Sequence, residues 1–245
     1  PSSMRALRRL GRKVVGGRPQ LLRESAKLDQ SGPALTGKRV VIDPGCGSVG
    51  QHLTPVVVID GQEWSEAQLC HDVALRLEGR FTAVGVQAHL TRGADSHPST
   101  SERARFANDV GADVLISLHT DRHDNPAANG VACYHFGTGS GVTSTVGEQL
   151  ASLVQREIVA RTGLQDCRIH AKTWEILRLT RMPAVHVELG YLTSESDRAR
   201  LADSEFRDNV ADAILAAVQR IFLPRDFDCP TGTLDVRQLR SLQLT

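Results

Sequence analysis

Four side chains in this sequence have the chemistry of a hydrolytic metal site: Cys46, Glu66, His119 and Glu188. A thiolate, a carboxylate and an imidazole together suit a zinc ion, which in catalytic sites takes three protein ligands and keeps one position open for water. Zinc lowers the pKa of that water to about 7 and polarises an amide carbonyl. A separate carboxylate must take the water's proton and return it to the leaving nitrogen, and Glu188 is the candidate. The four residues therefore predict metal-assisted amide hydrolysis.

Each of the predicted ligands also has an ordinary structural interpretation. A histidine at the end of a strand, such as His119, is more often a hydrogen-bonded structural residue than a metal ligand. Glu66 is expected in a first helical turn, where the helix dipole favours a negative charge. A cysteine such as Cys46 often behaves as a small buried hydrophobe. His52, in the same loop as Cys46, is either a substitute ligand or a plain loop residue, so spacing alone leaves the site open.

Three further residues bear on the predicted base. His186 precedes Glu188 by two positions on one strand, so both side chains point to the same face. We interpret His186 as a core or supporting histidine rather than a ligand. Arg178 either orients a substrate carboxylate through its planar guanidinium group or forms a surface ion pair. Asp121 either orients the preceding histidine by a hydrogen bond or occupies a turn.

The apolar pattern from Lys38 onward predicts the elements that must position these groups. Short aliphatic and β-branched runs indicate strands over 39–42, 84–90, 112–118, 131–136 and 184–189. Apolar residues at helical spacing indicate helices over 65–80, 99–108, 142–161 and 209–222. This alternation predicts an α/β fold: a single domain with a mostly parallel, twisted sheet and helices on both faces. Sites in such sheets lie just past the carboxyl ends of the strands, where Cys46, His119 and Glu188 fall.

Composition predicts three segments and excludes several kinds of function. Residues 1–37 begin with a short basic helix over 4–10 and continue as a Gly- and Pro-rich linker, 38–224 form the catalytic domain, and 225–245 form a C-terminal extension. A net charge of +1 gives no electrostatic case for nucleic acid binding. No apolar run approaches the roughly 20 residues that span a bilayer.

The cysteines and the N-terminus bear on the compartment. Five cysteines at irregular spacing, with no CxxC pair, are typical of free thiols rather than a disulfide framework. The basic N-terminus lacks the apolar stretch of a signal peptide. We therefore expect a cytoplasmic protein, with the cell envelope as the alternative if the chain is a fragment.

Ordered motifs across the domain resemble the zinc-dependent N-acetylmuramoyl-L-alanine amidases (amidase type 3). Val41 to Gly47 resembles their V-x-D-P-G-H-G opening, and Glu66 resembles the acidic residue that opens their first helix. The remaining matches are Thr91-Arg92, Glu102-Arg103 with Ala107-Asn108, Ser117 to Asp121, Leu177-Arg178, Met182 to Val185 and Glu188 to Thr193. The resemblance implies zinc held at positions 46, 66 and 119, with Glu188 as general base. The implied reaction is hydrolysis of the amide between the muramic acid lactyl group and L-alanine of peptidoglycan or its muropeptides.

Cys46 departs from the family pattern, which has histidine at this position. A thiolate binds zinc at about 2.3 Å, against about 2.0 Å for an imidazole nitrogen. The shorter side chain requires the loop to move closer to the ion, and the added negative charge makes a bound water less acidic. We expect that zinc binding can survive this change while turnover falls.

A narrower resemblance points to a second function. Segments such as Arg76 to Arg80, Asp166 to Arg168 and Pro230 to Thr233 resemble actinobacterial amidase-like regulators of peptidoglycan synthesis, and residues 1–11 resemble the last helix of the peptidoglycan-binding module that precedes their amidase domain. This resemblance implies a cytoplasmic, catalytically impaired protein that binds and activates UDP-N-acetylglucosamine enolpyruvyl transferase. The altered ligand Cys46 favours a regulator, and the retained acidic and imidazole groups favour an enzyme. We predict the amidase, with the regulator as the alternative.

Overall fold

The computed structural model describes residues 13–15, 18–20, 35–45, 53–223 and 230–235. Cys46, His52, Cys229 and the basic segment 4–10 lie outside these residues. Within the described ranges, no helix combines the length and the apolar character needed to cross a bilayer.

The domain is built on a six-stranded, mostly parallel sheet, as predicted. Its strands, in chain order, are β3 (Arg39–Pro44), β6 (Gln87–Leu90), β7 (Val114–Asp121), β8 (Val131–Phe136), β9 (Asp166–Lys172) and β10 (Ala184–Tyr191). The spatial order is β6-β3-β7-β10-β8-β9, and only the β10–β8 pair is antiparallel. Two small antiparallel strand pairs complete the described strands: β1 (Lys13–Val15) with β2 (Arg18–Gln20), and β4 (Pro55–Ile59) with β5 (Gln62–Ser65).

Six described helices cover the sheet, namely α1 (Glu66–Ala83), α2 (Thr100–Val110), α3 (Thr145–Thr162), α4 (Glu175–Leu179), α5 (Glu195–Ala202) and α6 (Ser204–Phe222). Local signals fix several of their ends. Ser65 and Ser99 each close a capping box with the residue three positions on, which satisfies two amides at the helix start. Gly111 and Gly163 end α2 and α3 in the left-handed conformation that glycine adopts without a steric penalty.

Alternate residues of the central strands face two separate hydrophobic layers. Val40 and Ile42 of β3 pack with α1, α3 and α6 in the larger layer. Val41 of β3 and Leu115 of β7 pack with α2 and α4 in the smaller layer. This two-sided burial confirms the predicted α/β architecture and explains why the central strands are almost continuously apolar.

Several predicted boundaries were wrong for local reasons. Strand β6 begins at Gln87 rather than at position 84, because Val84 caps α1 and Gly85 turns the chain with φ +81°. Helix α3 begins after the cap Ser144, and α6 begins after the cap Asp203. The hairpin β4–β5, the edge strand β9 and the short helices α4 and α5 were not predicted.

A short C-terminal stretch is fastened to the domain by a buried carboxylate. Glu157 of α3 is fully buried and accepts hydrogen bonds from Arg161, from Arg220 and from the backbone amide of Gly232. Arg161 also donates to the carbonyl of Leu234 at 2.7 Å. The described part of the predicted extension therefore packs on the face formed by α3 and α6.

Candidate active site

Three of the four predicted groups lie at the carboxyl rim of the sheet. His119 of β7 and Glu188 of β10 are register partners on neighbouring parallel strands, so their side chains lie side by side on one face. Glu66 opens α1, and its Oε1 accepts a hydrogen bond from the Thr120 amide at 3.3 Å. The fourth predicted group, Cys46, lies outside the described residues. Its neighbour Gly45 belongs to the same rim, because the Gly45 amide donates to the Leu118 carbonyl at 3.0 Å.

A buried relay fixes the orientation of the His119 ring. Asp43 and Ser117 are register partners on β3 and β7, and the Ser117 hydroxyl donates to Asp43 Oδ2 at 2.6 Å. Ser117 Oγ also lies 3.0 Å from His119 Nε2. Because the Ser117 proton is already used on the carboxylate, His119 Nε2 must be the donor to Ser117. The neutral imidazole therefore carries its lone pair on Nδ1, which is how a second hydrogen bond prepares a histidine to bind a metal.

Asp43, the carboxylate at the end of this hydrogen-bond chain, accepts hydrogen bonds from residues of three motifs that resemble the family pattern. Fully buried Asp43 accepts hydrogen bonds from Thr91 at 2.6 Å, from Arg103 at 2.5 Å and from Ser117. Thr91 and Arg103 belong to motifs that resemble the family pattern, but the motifs alone gave them no role. Their spacing gives no signal of a shared partner, since only the neighbouring strands and α2 bring them to one carboxylate.

The glycine before Cys46 is required by the position of the His119 ring. A Cβ atom built on Gly45 would overlap the imidazole ring atoms of His119. The ring cannot easily retreat, because Ser117 holds one edge and the His186 ring stacks on it with centroids 4.0 Å apart. The glycine therefore allows the backbone of the loop to pass directly against the imidazole.

Glu188 is held by His186, as the shared face of the strand predicted. His186 Nε2 lies 2.7 Å from Glu188 Oε1, while Glu188 Oε2 has no hydrogen-bond partner among the described residues. Burial raises the pKa of Glu188, the hydrogen bond and charge of His186 oppose the increase, and the carboxylates of Asp121 and Glu66 add to it. A carboxylate with a raised pKa and one free oxygen suits a general base.

Arg178 and Asp121 occupy different places at the rim. Arg178 is exposed on α4, one helical turn after Trp174, and its guanidinium forms no ion pair with another described residue. The predicted surface ion pair is therefore not found in the described part of the chain. The carboxylate of Asp121 accepts from the Arg122 amide at 2.7 Å, which is the turn interaction, and its charge contributes to the raised pKa of Glu188.

The residues present fit a zinc ion, although no complete set is described. In the described ranges, no three His, Cys, Asp or Glu side chains are grouped as a metal site. The Glu66 carboxylate and the oriented His119 imidazole supply two ligands of types that zinc accepts. The predicted third ligand, Cys46, follows Gly45, which contacts His119 directly.

Comparison with known proteins shows the family. Residues 40–220 match the family model of N-acetylmuramoyl-L-alanine amidases. The chain is 47% identical over 245 residues to N-acetylmuramoyl-L-alanine amidase CwlM of Mycobacterium tuberculosis, covering 100% of this chain and 60% of that protein. It is 26% identical over 201 residues to the amidase LytC of Bacillus subtilis, covering 82% of this chain and 38% of that protein.

A solved structure agrees with this assignment. Amidase AmiC2 of Nostoc punctiforme superimposes with a TM-score of 0.63 at 29% identity, covering 77% of this chain and 96% of that structure. This likeness agrees with the α/β fold described above. The chain spans 60% of the length of CwlM and 38% of that of LytC. This chain belongs to the N-acetylmuramoyl-L-alanine amidase family.

Proposed function

We propose that this domain hydrolyses the amide between the lactyl group of muramic acid and L-alanine in peptidoglycan or muropeptides. The observation that carries the proposal is the convergence of Glu66, His119 and Glu188 at one rim of the sheet. Two of these groups have ligand chemistry, and the third is a mostly buried carboxylate with a raised pKa. This division of roles is what metal-assisted hydrolysis of an amide requires.

Zinc is the proposed cofactor, with Glu66, His119 and Cys46 as its ligands. When bound, zinc polarises the substrate carbonyl and makes a water molecule acidic enough to attack at neutral pH. The relay from Asp43 through Ser117 supports this role, because it fixes the His119 ring and its tautomer before the ion arrives. Cys46 would contribute a thiolate, which zinc accepts readily.

Glu188 is the proposed general base and acid. His186 holds its Oε1, which leaves Oε2 to accept the proton of the attacking water. The same oxygen then returns that proton to the leaving amine nitrogen as the amide bond breaks. Arg178 is the proposed substrate-positioning residue, because its exposed guanidinium is available to pair with a substrate carboxylate.

Metal content and muropeptide cleavage, measured on the same preparations, test the proposal. We expect the wild type to bind zinc and to release the peptide from a muramyl peptide. Glu188→Gln should keep the zinc and lose at least about 10²-fold in turnover, the contribution of a positioned general base. Glu205→Gln, an exposed carboxylate at the start of α6, should change neither quantity. Unchanged turnover in Glu188→Gln would refute the assigned base.

A second candidate function is a catalytically impaired regulator that binds UDP-N-acetylglucosamine enolpyruvyl transferase. The observation in its favour is Cys46, which replaces histidine in the V-x-D-P-G-H-G motif. Metal-free wild-type protein that raises the activity of the purified transferase would support the regulator. Cleavage that appears only in a Cys46→His variant would show that the change of this one ligand is enough to abolish activity.

We also propose that the protein works in the cytoplasm. The proposal is supported by the free thiols of Cys133 and Cys167, which are typical of a reducing compartment. Detection of the native protein in the soluble cytoplasmic fraction tests this, and its recovery in the cell wall fraction would refute it.

A further inference from the structure

A strip of aromatic and cationic side chains leads from Glu188 to the edge of the sheet. His186 of β10 is the register partner of Tyr134 on β8, and Tyr134 is the register partner of His170 on β9. Lys172 lies two residues beyond His170 and shares its face of β9. Beyond His186, the strip therefore crosses the neighbouring strands β8 and β9, on the same face of the sheet as the proposed base.

Trp174 covers the middle of this strip in a position that helix formation does not explain. It occupies the N-cap of α4, where Ser, Thr, Asp or Asn is preferred, and makes no side-chain capping hydrogen bond. The residue remains 38% exposed. The indole ring instead contacts Tyr134 at 4.5 Å and His186 at 4.7 Å between ring centroids. Trp174 thus couples the outer surface to the histidine that holds Glu188.

The outer end of the strip is positively charged. The segment 166–181 contains four Lys or Arg residues and two carboxylates. Lys172 and Arg178 are exposed, and neither forms an ion pair with another described residue. One of the two carboxylates, Asp166, accepts hydrogen bonds from Gln155 and from the Arg168 amide, so it is already engaged. Two cations are therefore available to an anionic ligand near Trp174.

We propose that this strip, defined by Tyr134, His170, Lys172, Trp174 and Arg178, is the subsite for the carboxylate-bearing stem peptide. The proposal rests on the proposed function and specifies which side of the scissile amide this surface binds. Once the lactyl group is amide-linked, the free carboxylates of the substrate lie on the peptide side. A cationic surface beside the base therefore selects the peptide rather than the glycan.

The contacts around Trp174 favour a charged ligand over a stacked sugar. The Lys172 ammonium lies over the indole at 5.7 Å from its centroid, and Tyr134 and His186 pack around the same ring. Because three side chains already surround the indole, the ring is held in place and forms a rigid surface against which the cations lie. Burial, followed by the charge of Glu188, raises the pKa of Tyr134, so its phenol keeps its proton and can donate to a peptide carbonyl.

Peptide binding can be measured without turnover. The chain has two tryptophans, so a Trp64→Phe background leaves Trp174 as the only indole reporter. The probes are the tripeptide L-Ala–γ-D-Glu–L-Lys, its fully amidated form and an N-acetylglucosamine oligomer. We expect saturable fluorescence changes with the acidic tripeptide, weaker binding at higher salt, and little response to the other two.

Charge-removing variants then locate the ligand. Lys172→Gln and Arg178→Gln should each weaken tripeptide binding by about two- to fivefold, the range of an exposed ion pair. Arg156→Gln removes an exposed arginine from α3, on the other face of the sheet, and should leave binding unchanged. Equal binding of the amidated peptide, a Trp174 response to the sugar alone, or an equal loss in Arg156→Gln would overturn the assignment.

The two proposals fail in different ways. Charge-dependent peptide binding without any cleavage of muramyl peptides would refute the amidase activity and support the strip. Cleavage that proceeds with an unchanged KM in Lys172→Gln and Arg178→Gln, and without peptide binding, would refute the strip and support the amidase.

Discussion

Removal of the Ser117 hydroxyl should weaken both zinc binding and the stability of the fold. Ser117→Ala takes away a donor to buried Asp43 and the acceptor that holds His119 Nε2. Loss of a hydrogen-bond partner of a metal-binding histidine typically costs 10- to 100-fold in metal affinity, or about 1.4–2.7 kcal/mol. The same change removes one of three donors to a fully buried carboxylate, which costs about 1–3 kcal/mol of unfolding free energy.

The matched control is Thr91→Val. It removes another donor to the same carboxylate, a 2.6 Å hydrogen bond to Asp43 Oδ1, and leaves the contact between Ser117 and His119 intact. We therefore expect both variants to lose similar stability in urea, measured on metal-free protein. Only Ser117→Ala should also lose zinc affinity, measured by competition with a chromophoric chelator. Wild-type zinc affinity in Ser117→Ala, or an equal loss in Thr91→Val, would refute the relay.

Three further outcomes follow from contacts elsewhere in the domain. Gly45→Ala should displace the His119 ring and destabilise the domain by about 1–3 kcal/mol, the usual cost of overpacking; an unchanged urea midpoint would contradict the close approach. Glu157→Gln leaves two arginines facing a neutral amide and should lower the free energy of unfolding in urea by about 3–5 kcal/mol. A loss below about 1 kcal/mol would contradict the role of Glu157 as the buried partner of both arginines. Burial opposes ionisation of Asp208, but the hydrogen bonds and charges of Arg80 and Arg76 outweigh it and lower its pKa. Asp208 therefore stabilises the fold above its unfolded-state pKa, and this contribution is lost as pH falls through the depressed value. Because the side chain is 44% exposed, Asp208→Asn should cost no more than about 1 kcal/mol at pH 7, and a deficit that persists in acid would contradict this origin.

Local chemistry made much of the fold predictable. Ser65, Ser99, Gly111 and Gly163 mark helix ends through interactions with their own neighbours, so a sequence window contains the whole signal. Strand β9 is an edge strand whose sequence, D-C-R-I-H-A-K, alternates polar and apolar residues, so a local signal of a half-buried strand was present but was overlooked. Its pairing with β8 is a contact between distant segments, and no local pattern encodes it.

The candidate site was likewise predictable from the sequence only in part. The sequence identified Glu66, His119 and Glu188 as groups with suitable chemistry, and the parallel sheet predicted which rim would carry them. It gave no role to Asp43, Thr91 or Arg103, because their common function is to meet at one buried carboxylate. The strip around Trp174 was likewise hidden, since aromatic content is low and its members come from three separate elements.

By itself, therefore, the sequence determined the α/β class, the family and the side chains able to bind a metal or move a proton, because residue type and motif order carry that information. Only the tertiary structure decided which nitrogen of His119 keeps its lone pair. That choice follows from the register of β3 and β7, which places Asp43 beside Ser117. Hydrogen bonds between strands far apart in the chain depend on that register, and a register is a property of the assembled sheet.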